Sequence, residues 1–261
     1  MQSGGWTFLD TGEGRGSFNM ELDERLARRL ADGSGEPVLR LFRWKPWAIS
    51  VGYHQLTGDL DLKRCTADGI DVVRRPTGGR AILHAEELTY SLVMHAGRRS
   101  ILEVYNSIAS ALVCGLDLYG VAVSLQKSQP DFAKEYRAPA SLPCFSSSAR
   151  YEIEWQGRKL VGSAQRRFSE GSGDVVLQHG SILCGPAHRR LADYVTFGEA
   201  TRGMIKRDLE GRTTDLGLIC GTQVDYQRLS ECIRRGFEIS WGVSFRLPQE
   251  GAEQYLLTTT T

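Results

Sequence analysis

The chain has 261 residues, of which 41% are hydrophobic and 24% are charged, and its formal net charge at pH 7 is +1. A chain of this length can bury a substantial core in one large domain or two small ones, so folding needs neither disulfides nor a structural metal ion. The near-neutral charge argues against a general nucleic-acid-binding protein, because such proteins present an excess of basic residues.

The sequence predicts a cytoplasmic protein that does not enter a membrane. No apolar run approaches the roughly 18 residues that span a bilayer, and the first residues, MQSGGWTFLDTGEG, lack a basic segment followed by an apolar one. The six cysteines contain no C-x2-C pair, so neither a zinc site nor a disulfide is expected. They are Cys65, Cys114, Cys144, Cys184, Cys220 and Cys232. One of them can still be a reactive thiol in an intracellular enzyme.

The first predicted elements are a helix and two strands. Apolar residues recur near helical spacing in SFNMELDERLARRLADGSGEP, with Ser17 or Asn19 as the cap and Gly33 as the stop. The next segment, VLRLFRWKPWAISVGYHQ, alternates apolar and polar residues, which predicts two strands joined around Pro46.

Two further helices are expected before the middle of the chain. A short one is predicted near residues 60–68. A long core helix is predicted over residues 101–116, because Ser100 can cap it and an apolar stripe follows.

The second half of the chain begins with strands. Residues 151–155 and 159–166 alternate around the turn Gln156-Gly157, and DVVLQHGSIL, residues 174–183, is typical of another strand. A helix is expected over residues 226–237. Runs of strands with helices between them favour an α+β fold with a mixed, largely antiparallel sheet. Because no repeat or clear linker is present, we expect a single domain over residues 1–261, with its core at about 19–247.

The stretch VVRRPTGGRAILHAEELTYSLV, residues 72–93, combines strand-forming residues with a glycine loop. Hydrogen-bond donors crowd around backbone that can approach a ligand closely, so this loop can hold an anion or a polar acyl group. The donors are Arg74, Arg75, Thr77, Arg80 and His84, and the glycines are Gly78 and Gly79. An equally consistent interpretation is a β-hairpin with a loose turn.

Three segments together resemble a known family. RRPTGGRAILHAEELTYS, CFSSSARYEIEWQGRKLVGSAQRR and VLQHGSIL are similar to the signature segments of the lipoate-protein ligase and octanoyltransferase superfamily, which shares its catalytic fold with biotin-protein ligases. The resemblance extends from about Asn19 to Leu183. It is greatest to the cysteine-dependent octanoyltransferases, whose pattern has a cysteine some fifteen residues before a lysine, as Cys144 and Lys159 are here. The resemblance implies one biotin/lipoate protein ligase-like catalytic domain.

Cys144 and Lys159 are therefore the candidate catalytic residues. Cys144 lies in a loop-like setting, PCFSSS, where a thiol can be exposed, whereas Cys114 lies in the predicted core helix. An ammonium near the thiol would lower the cysteine pKa from about 8.5 and could also stabilise an oxyanion. The alternative interpretations are a small buried cysteine and a solvated lysine after a hairpin turn.

The resemblance also implies a set of substrate-binding residues. Gly78 and Gly79 would lie against the acyl carbonyl end, Arg75 and His84 would fix the loop or donate to substrate, and residues 162–164 would leave space for the acyl chain. The full set is Arg75, Thr77, Gly78, Gly79, Arg80, His84, Gly162, Ser163, Ala164, His179 and Gly180. For both histidines, a structural hydrogen bond between strands is an equally good interpretation. No cofactor and no metal ion are expected.

The implied reaction transfers an octanoyl group from acyl carrier protein, through a Cys144 thioester, to a lysine of a lipoyl domain or of a glycine-cleavage H protein. It needs no ATP, and we expect the enzyme to be a monomer. The main rival function is that of an ATP-dependent lipoate or biotin ligase, although such ligases commonly have a third loop glycine where this chain has Arg80. The sequence is also compatible with an octanoyl amidotransferase acting between lipoyl proteins and with a non-catalytic module that binds carrier proteins.

Overall fold

The computed structural model of the chain describes residues 5–125, 152–168 and 174–247. Within these ranges, the main sheet contains β1 (Trp6–Gly14), β2 (Val38–Trp44), β6 (Glu87–His95), β7 (Ser124–Leu125), β8 (Ile153–Trp155), β9 (Arg158–Phe168), β10 (Val175–Leu183) and β11 (Phe245–Arg246). Their order across the sheet is β11-β1-β2-β6-β10-β9-β8-β7. β1 runs parallel to β2 and β11, and the other neighbouring strands are antiparallel. The predicted α+β fold with a mixed, largely antiparallel sheet is confirmed.

A second, three-stranded sheet carries the glycine loop. Its central strand is β3 (Ala48–Val51), which runs parallel to β4 (Asp71–Arg74) and antiparallel to β5 (Ile82–His84). The hairpin interpretation is wrong, because β4 and β5 pair with β3 and not with each other. The intervening loop crosses the end of β3 and bonds to the chain there, with Arg75 N–H donating to Val51 O at 3.0 Å and Tyr53 N–H to Thr77 O at 2.9 Å.

The helices lie around this framework. They are α1 (Gly16–Ala31), α2 (Leu62–Ala67), α3 (Ile101–Tyr119), a 3₁₀ helix (Pro186–Tyr194), α4 (Glu199–Arg212), α5 (Leu216–Cys220) and α6 (Tyr226–Trp241). The predicted helices α1, α2, α3 and α6 and the predicted strands β8, β9 and β10 are confirmed. β1, α4 and α5 were not predicted from the sequence.

The two predicted helix caps have opposite outcomes. Ser100 caps α3 as expected: its hydroxyl accepts from Glu103 N–H, and the Glu103 carboxylate accepts from Ser100 N–H. The cap predicted for α1 is wrong, because the residue before its first turn is Arg15, which makes no side-chain cap bond. Asn19 is instead buried one turn inside the helix, where its amide donates to Gly14 O at 3.1 Å.

α3 is long and apolar enough to cross a membrane by length and composition alone, with a mean hydropathy of 1.4, so the expectation that no segment approaches such a span is wrong. In the fold, its apolar stripe is buried. Val104, Ile108, Leu112 and Leu116 lie in the main core cluster, together with Ile233 of α6. α3 is thus the core helix that the sequence predicts.

α3 and α6 cross closely because each places a glycine at the contact. A Cβ on Gly115 would lie 2.8 Å from the Cα of Ile233, and a Cβ on Gly236 would lie 2.4 Å from the backbone nitrogen of Gly115. Backbone cannot move away as a flexible side chain can, so both positions require glycine while the helices stay at this distance.

We therefore expect Gly236→Ala to destabilise the fold by about 1–3 kcal/mol or more, because the added methyl group overpacks the α3–α6 contact. Gly211→Ala is the matched control, since Gly211 lies on exposed α4 with no atom within 4 Å of an added Cβ. That variant should be unchanged or more stable by up to about 1 kcal/mol. Urea unfolding measures both, and equal stabilities would contradict this packing.

Candidate active site

The glycine loop, which we define as residues 75–80, borders a narrow cleft and contributes Arg75 to its lining. The cleft is lined by Met20, Trp44, Ser50, Arg75, Ile82, His84, Thr89, Gly162, Ser163, Ala164, His179, Gly180 and Ser181. Seven of the residues predicted to bind substrate are in this lining. Thr77, Gly78, Gly79 and Arg80 belong to the loop but do not line the cleft, nor does Lys159. Cys144 lies outside the described residues.

One wall of the cleft is the pairing of β9 with β10. Gly162 lies opposite Ser181, Ser163 opposite Gly180, and Ala164 opposite His179. A Cβ on Gly180 would lie 2.5 Å from Gly162 O, so a side chain at this position would push the two strands apart. Because Gly162, Ala164 and Gly180 have small side chains or none, this wall is flat and the cleft stays open.

Ser163 is held in place by two tyrosines. Its Oγ lies 2.6 Å from Tyr90 Oη, and its carbonyl oxygen accepts from Tyr105 Oη at 2.5 Å. Gln178 Nε2 in turn donates to Tyr90 Oη at 2.9 Å. Burial raises the pKa of Tyr90 to about 12, so this phenol is neutral and can donate to Ser163.

His179 is buried and held on both ring nitrogens. Its Nδ1 lies 3.1 Å from Asp23 Oδ2, and its Nε2 lies 2.6 Å from Thr77 Oγ1. Burial holds the pKa of His179 below its ordinary value, although Asp23 opposes the shift, so the ring is neutral at pH 7. Because a carboxylate can only accept, Nδ1 carries the proton and Nε2 accepts from the Thr77 hydroxyl. Thr77 therefore uses its hydroxyl to bind His179.

Asp23 itself is a fully buried carboxylate with a fully buried cation beside it. Arg40 Nη1 donates to Asp23 Oδ1 at 2.8 Å, and Arg40 Nη2 donates to Asn19 Oδ1 at 2.6 Å. The Arg40 guanidinium also lies 3.9 Å from the centroid of the Phe42 ring. Burial opposes ionisation of Asp23, but Arg40 and His179 outweigh it and hold the Asp23 pKa below its ordinary value.

His84 occupies a second network of the same design. Its Nδ1 lies 2.8 Å from Glu87 Oε1, its Nε2 lies 2.8 Å from Ser50 Oγ, and its ring stacks on Trp44 at 3.9 Å between centroids. Glu87 Oε1 also accepts from Thr89 at 2.6 Å and from Ser181 at 2.7 Å. Burial raises the pKa of Glu87, but His84 and these hydroxyls outweigh it and leave the net pKa lowered.

These networks determine which atoms face the cleft. The polar atoms of Ser50, Thr89, Ser181 and His84 bond to one another or to Glu87. As a result, carbon atoms form nearly all of the surface that faces the cleft. A wall built from polar residues thus behaves as an apolar slot.

Lys159 is buried near the start of β9, three residues before Gly162. Its ammonium pairs with Glu152, which is also buried, and its carbonyl oxygen accepts from Thr214 N–H at 3.0 Å. The interpretation of Lys159 as a solvated surface lysine is therefore wrong. Glu154 lies close enough for Lys159 to lower its pKa, but burial outweighs this and raises the pKa overall.

The five described cysteines are free thiols, and three of them are poor nucleophiles. Burial raises the pKa of Cys184 most strongly, and it also raises the pKa of Cys65 and Cys232. Cys114 is half-buried on α3 and Cys220 is exposed on α5, and neither lines the cleft.

Sequence reasoning missed the carboxylates that organise the cleft and the arginine that balances one of them. Asp23 follows Asn19 by one helical turn on the buried side of α1, and Arg40 lies between buried Leu39 and Leu41. A charged residue inside a strand whose neighbours on both sides are apolar was the available signal, since such a charge must be paired. Nothing in the sequence paired Glu87 with His84 beyond their spacing.

Comparison with known proteins places this fold and cleft in a family. Residues 15–238 match the model of the lipoyl protein ligase A/B catalytic domain. The chain belongs to this family. It is 35% identical over 255 residues to octanoyltransferase LipM of Kyrpidia tusciae, covering 95% of this chain and 92% of the relative. It is 36% identical over 247 residues to octanoyltransferase LipM of Symbiobacterium thermophilum, covering 92% and 87%. These relatives identify the chain as an acyltransferase.

Solved structures of other family members share the fold. A bi-partite lipoate protein ligase from Thermoplasma acidophilum, solved in a study of it and its E2 lipoyl domain, superposes with a TM-score of 0.76 at 19% identity, covering 97% of this chain and 91% of that one. A lipoate-protein ligase A bound with ATP gives a TM-score of 0.72 at 21% identity, covering 98% and 93%. At these identities the likeness shows the fold alone, which is the catalytic fold predicted from the sequence.

We expect Arg40→Met to destabilise the chain by about 3–5 kcal/mol, because it leaves the Asp23 carboxylate buried without its cation. Arg28→Met is the matched control, since Arg28 pairs with Glu24 on the exposed face of α1 and exposed pairs contribute about 1 kcal/mol or less. Urea unfolding at pH 7 compares the two variants. A loss no larger for Arg40→Met than for Arg28→Met would contradict the buried pairing.

Proposed function

We propose that this chain is an octanoyltransferase of protein lipoylation, which carries the octanoyl group as a thioester on Cys144. The donor is octanoyl-acyl carrier protein, and the acceptor is a lysine of a lipoyl domain or of a glycine-cleavage H protein. The proposal treats residues 1–261 as a single, monomeric, cytoplasmic catalytic domain. It rests on the similarity to named octanoyltransferases over more than nine-tenths of the chain.

The structural observation that carries the proposal is the carbon-faced slot beside the strand that bears Lys159. An octanoyl chain needs an apolar slot without unpaired polar atoms, and the bonding of Ser50, Thr89 and Ser181 within the wall supplies one. β9 connects the two parts of the site, since residues 162–164 line the slot and Lys159 lies three residues before them on the same strand.

The choice of Cys144 as nucleophile rests on its spacing from Lys159 and on the properties of the other cysteines. Cys65, Cys184 and Cys232 have raised pKa values and form few thiolates at neutral pH. Cys114 and Cys220 lie away from the slot on helices. Cys144 precedes Lys159 by the fifteen residues that the cysteine-dependent octanoyltransferases show.

In the first step, the Cys144 thiolate attacks the carbonyl carbon of the donor thioester. A tetrahedral oxyanion forms, then collapses and expels the donor thiolate, which takes up a proton. The acyl group is now bonded to Cys144 Sγ. The Lys159 ammonium would favour the Cys144 thiolate and stabilise the oxyanion, since both are negative charges that a nearby positive charge attracts.

In the second step, the neutral ε-amine of the acceptor lysine attacks the Cys144 thioester. The carbon–sulfur bond breaks, Cys144 leaves as the thiolate, and the amine loses a proton to give the amide. An amide is far less reactive than a thioester, so the step runs downhill. The incoming acyl group is already activated, and no nucleotide enters the sequence.

Arg80 favours this reaction over that of an ATP-dependent ligase. Such ligases commonly have glycine at this loop position, whereas Arg80 places a large, buried side chain there. An octanoyl amidotransferase that uses H protein as the donor would employ the same cysteine and lysine, and it differs from our proposal only in the donor protein.

Mixing the enzyme with octanoyl-acyl carrier protein should therefore add one octanoyl group to it, as intact mass spectrometry measures. Neutral hydroxylamine should remove the group, because it cleaves thioesters. Cys144→Ala should give no adduct, and Cys220→Ala, which removes an exposed thiol, should be acylated normally. An adduct that persists in Cys144→Ala would exclude the proposed nucleophile.

Lys159→Ala should slow acylation by about 10²-fold or more, the scale of losing one electrostatic stabiliser, and should raise the pKa of the Cys144 thiol. The rate of iodoacetamide labelling as a function of pH reports that pKa. Lys206→Ala, on exposed α4, is the control for loss of a lysine. A labelling profile identical in Lys159→Ala and the unmodified enzyme would contradict the role given to Lys159.

A further inference from the structure

Two buried chains of hydrogen bonds, each ordered carboxylate–histidine–hydroxyl, end at the glycine loop. The first runs from Asp23 through His179 to Thr77, with contacts of 3.1 and 2.6 Å. All three residues are at most 5% exposed. Since Thr77 is the third residue of the loop, this chain ties the loop to β10 and, through Asp23, to α1.

The second chain reaches the loop through Arg75. It runs from Glu87 through His84 to Ser50, with contacts of 2.8 and 2.8 Å. Arg75 Nη1 donates to Ser50 Oγ at 3.0 Å and to Ser50 O at 3.1 Å, so the arginine is bonded to both oxygens of Ser50.

The remaining donors of Arg75 fold the loop around its guanidinium. Nη2 donates to Gly78 O at 2.8 Å and to Arg80 O at 2.7 Å, and Nε donates to Gly78 O at 3.0 Å. Two loop carbonyls are therefore fixed by one planar group, which the second chain helps to hold through Ser50 Oγ.

Ser50, His84 and Glu87 have the order and spacing of a hydrolytic triad, but the surroundings of Ser50 are wrong for a nucleophile. Its side chain is fully buried, and Arg75 donates to the oxygen that would have to attack. A positive charge bonded to a hydroxyl oxygen withdraws electron density and lowers its nucleophilicity. The Glu87–His84–Ser50 chain of hydrogen bonds therefore holds Arg75 and does not supply a nucleophile. It has the order of a triad because, in both cases, a carboxylate orients a histidine toward a hydroxyl.

We propose that His179 and His84 are positioning residues, which hold the glycine loop against the acyl group through Thr77 and Arg75. The inference rests on the proposed function, in which this loop contacts the carbonyl end of the octanoyl thioester. In each chain the carboxylate can only accept, so it holds a proton on the imidazole Nδ1 and directs Nε2 at the hydroxyl. The bond between Nε2 and the hydroxyl then fixes the position of the hydroxyl, and the loop with it.

In the first chain, the hydrogen bond between Thr77 and His179 can be removed by substituting either partner. Thr77→Val keeps the shape of the side chain and removes the hydroxyl, whereas Thr77→Ser keeps the hydroxyl. His179→Asn places an amide nitrogen near the former Nδ1, where it can still donate to Asp23, and removes the acceptor for Thr77. Thr66→Val is the matched control, because the Thr66 hydroxyl bonds to Leu62 O on exposed α2, away from the cleft.

The readout is the single-turnover rate of enzyme acylation at saturating octanoyl-acyl carrier protein, together with the donor concentration for half-maximal rate. Thr77→Val and His179→Asn should each lower the saturating rate by about 10- to 100-fold, the effect of displacing a reacting group by about 1 Å. Thr77→Ser should recover most of the rate. Because both changes remove the same bond, the double variant should be no slower than the slower single variant within about twofold.

The second chain is tested in the same assay by Ser50→Ala, which removes the hydroxyl that links His84 to Arg75. Arg75 Nη1 still donates to Ser50 O in this variant, and the lost link should also lower the saturating rate. Full rates in Thr77→Val and Ser50→Ala, with only the thermal midpoint lowered, would overturn the positioning role and leave a structural one. Multiplicative losses in the Thr77→Val, His179→Asn double variant would overturn the shared bond. If the unmodified enzyme forms no adduct at all, the proposed function fails, a result distinct from either of these.

Discussion

The burial of one negative charge, that of Asp23, constrains much of this structure. Removing a carboxylate from water costs several kcal/mol unless it is paired and hydrogen-bonded. Asp23 meets this requirement with Arg40 from β2 and His179 from β10. Satisfying one side chain therefore fixes the position of α1 on the sheet, and it places His179 at the glycine loop. The position of the glycine loop therefore depends on the hydrogen bonds and ion pair that stabilise the buried Asp23 carboxylate.

The same principle explains how polar residues build a slot for an apolar chain. Serine, threonine and histidine in a cleft wall ordinarily attract water, which an acyl chain would have to displace. Here Glu87 collects the hydrogen bonds of His84, Thr89 and Ser181, so their carbon atoms face the cleft. The site thus combines an apolar slot with hydrogen-bonded groups that hold its wall in place.

Local patterns were sufficient to predict most of the fold, and they failed where distant segments meet. The apolar stripe and Ser100 cap predicted α3, and the Gln156-Gly157 turn predicted the β8–β9 hairpin. The loop after β4 resembled a hairpin turn because the two flanking segments have strand composition. What separates them is β3, which precedes both in the chain, and no local pattern reveals a strand inserted between two others.

The candidate site, too, was predicted in part from local patterns and in part only from the structure. The segments that carry the cleft were found because glycines, histidines and small residues are concentrated there, and seven of the predicted residues line one cleft. The roles of Thr77 and Arg75 were not predictable, because the groups that hold them, from Asp23 on α1 to His179 on β10, come from elements far apart in the chain. The sequence shows which polar groups are present. Only the fold shows which of them are already hydrogen-bonded to other residues of the protein.

The central claim is that acyl transfer draws its energy from a thioester and not from a nucleotide. Octanoyl-acyl carrier protein and an apo lipoyl-accepting protein should be mixed with the enzyme without nucleotide, and octanoyl-lysine on the acceptor should be measured by mass spectrometry. A free carboxylate is a poor electrophile until its oxygen becomes a leaving group, so octanoate with ATP and magnesium should give little product. The account predicts nucleotide-free octanoyl-lysine that is lost in Cys144→Ala. ATP-dependent modification from the free acid, undiminished in Cys144→Ala, would contradict it.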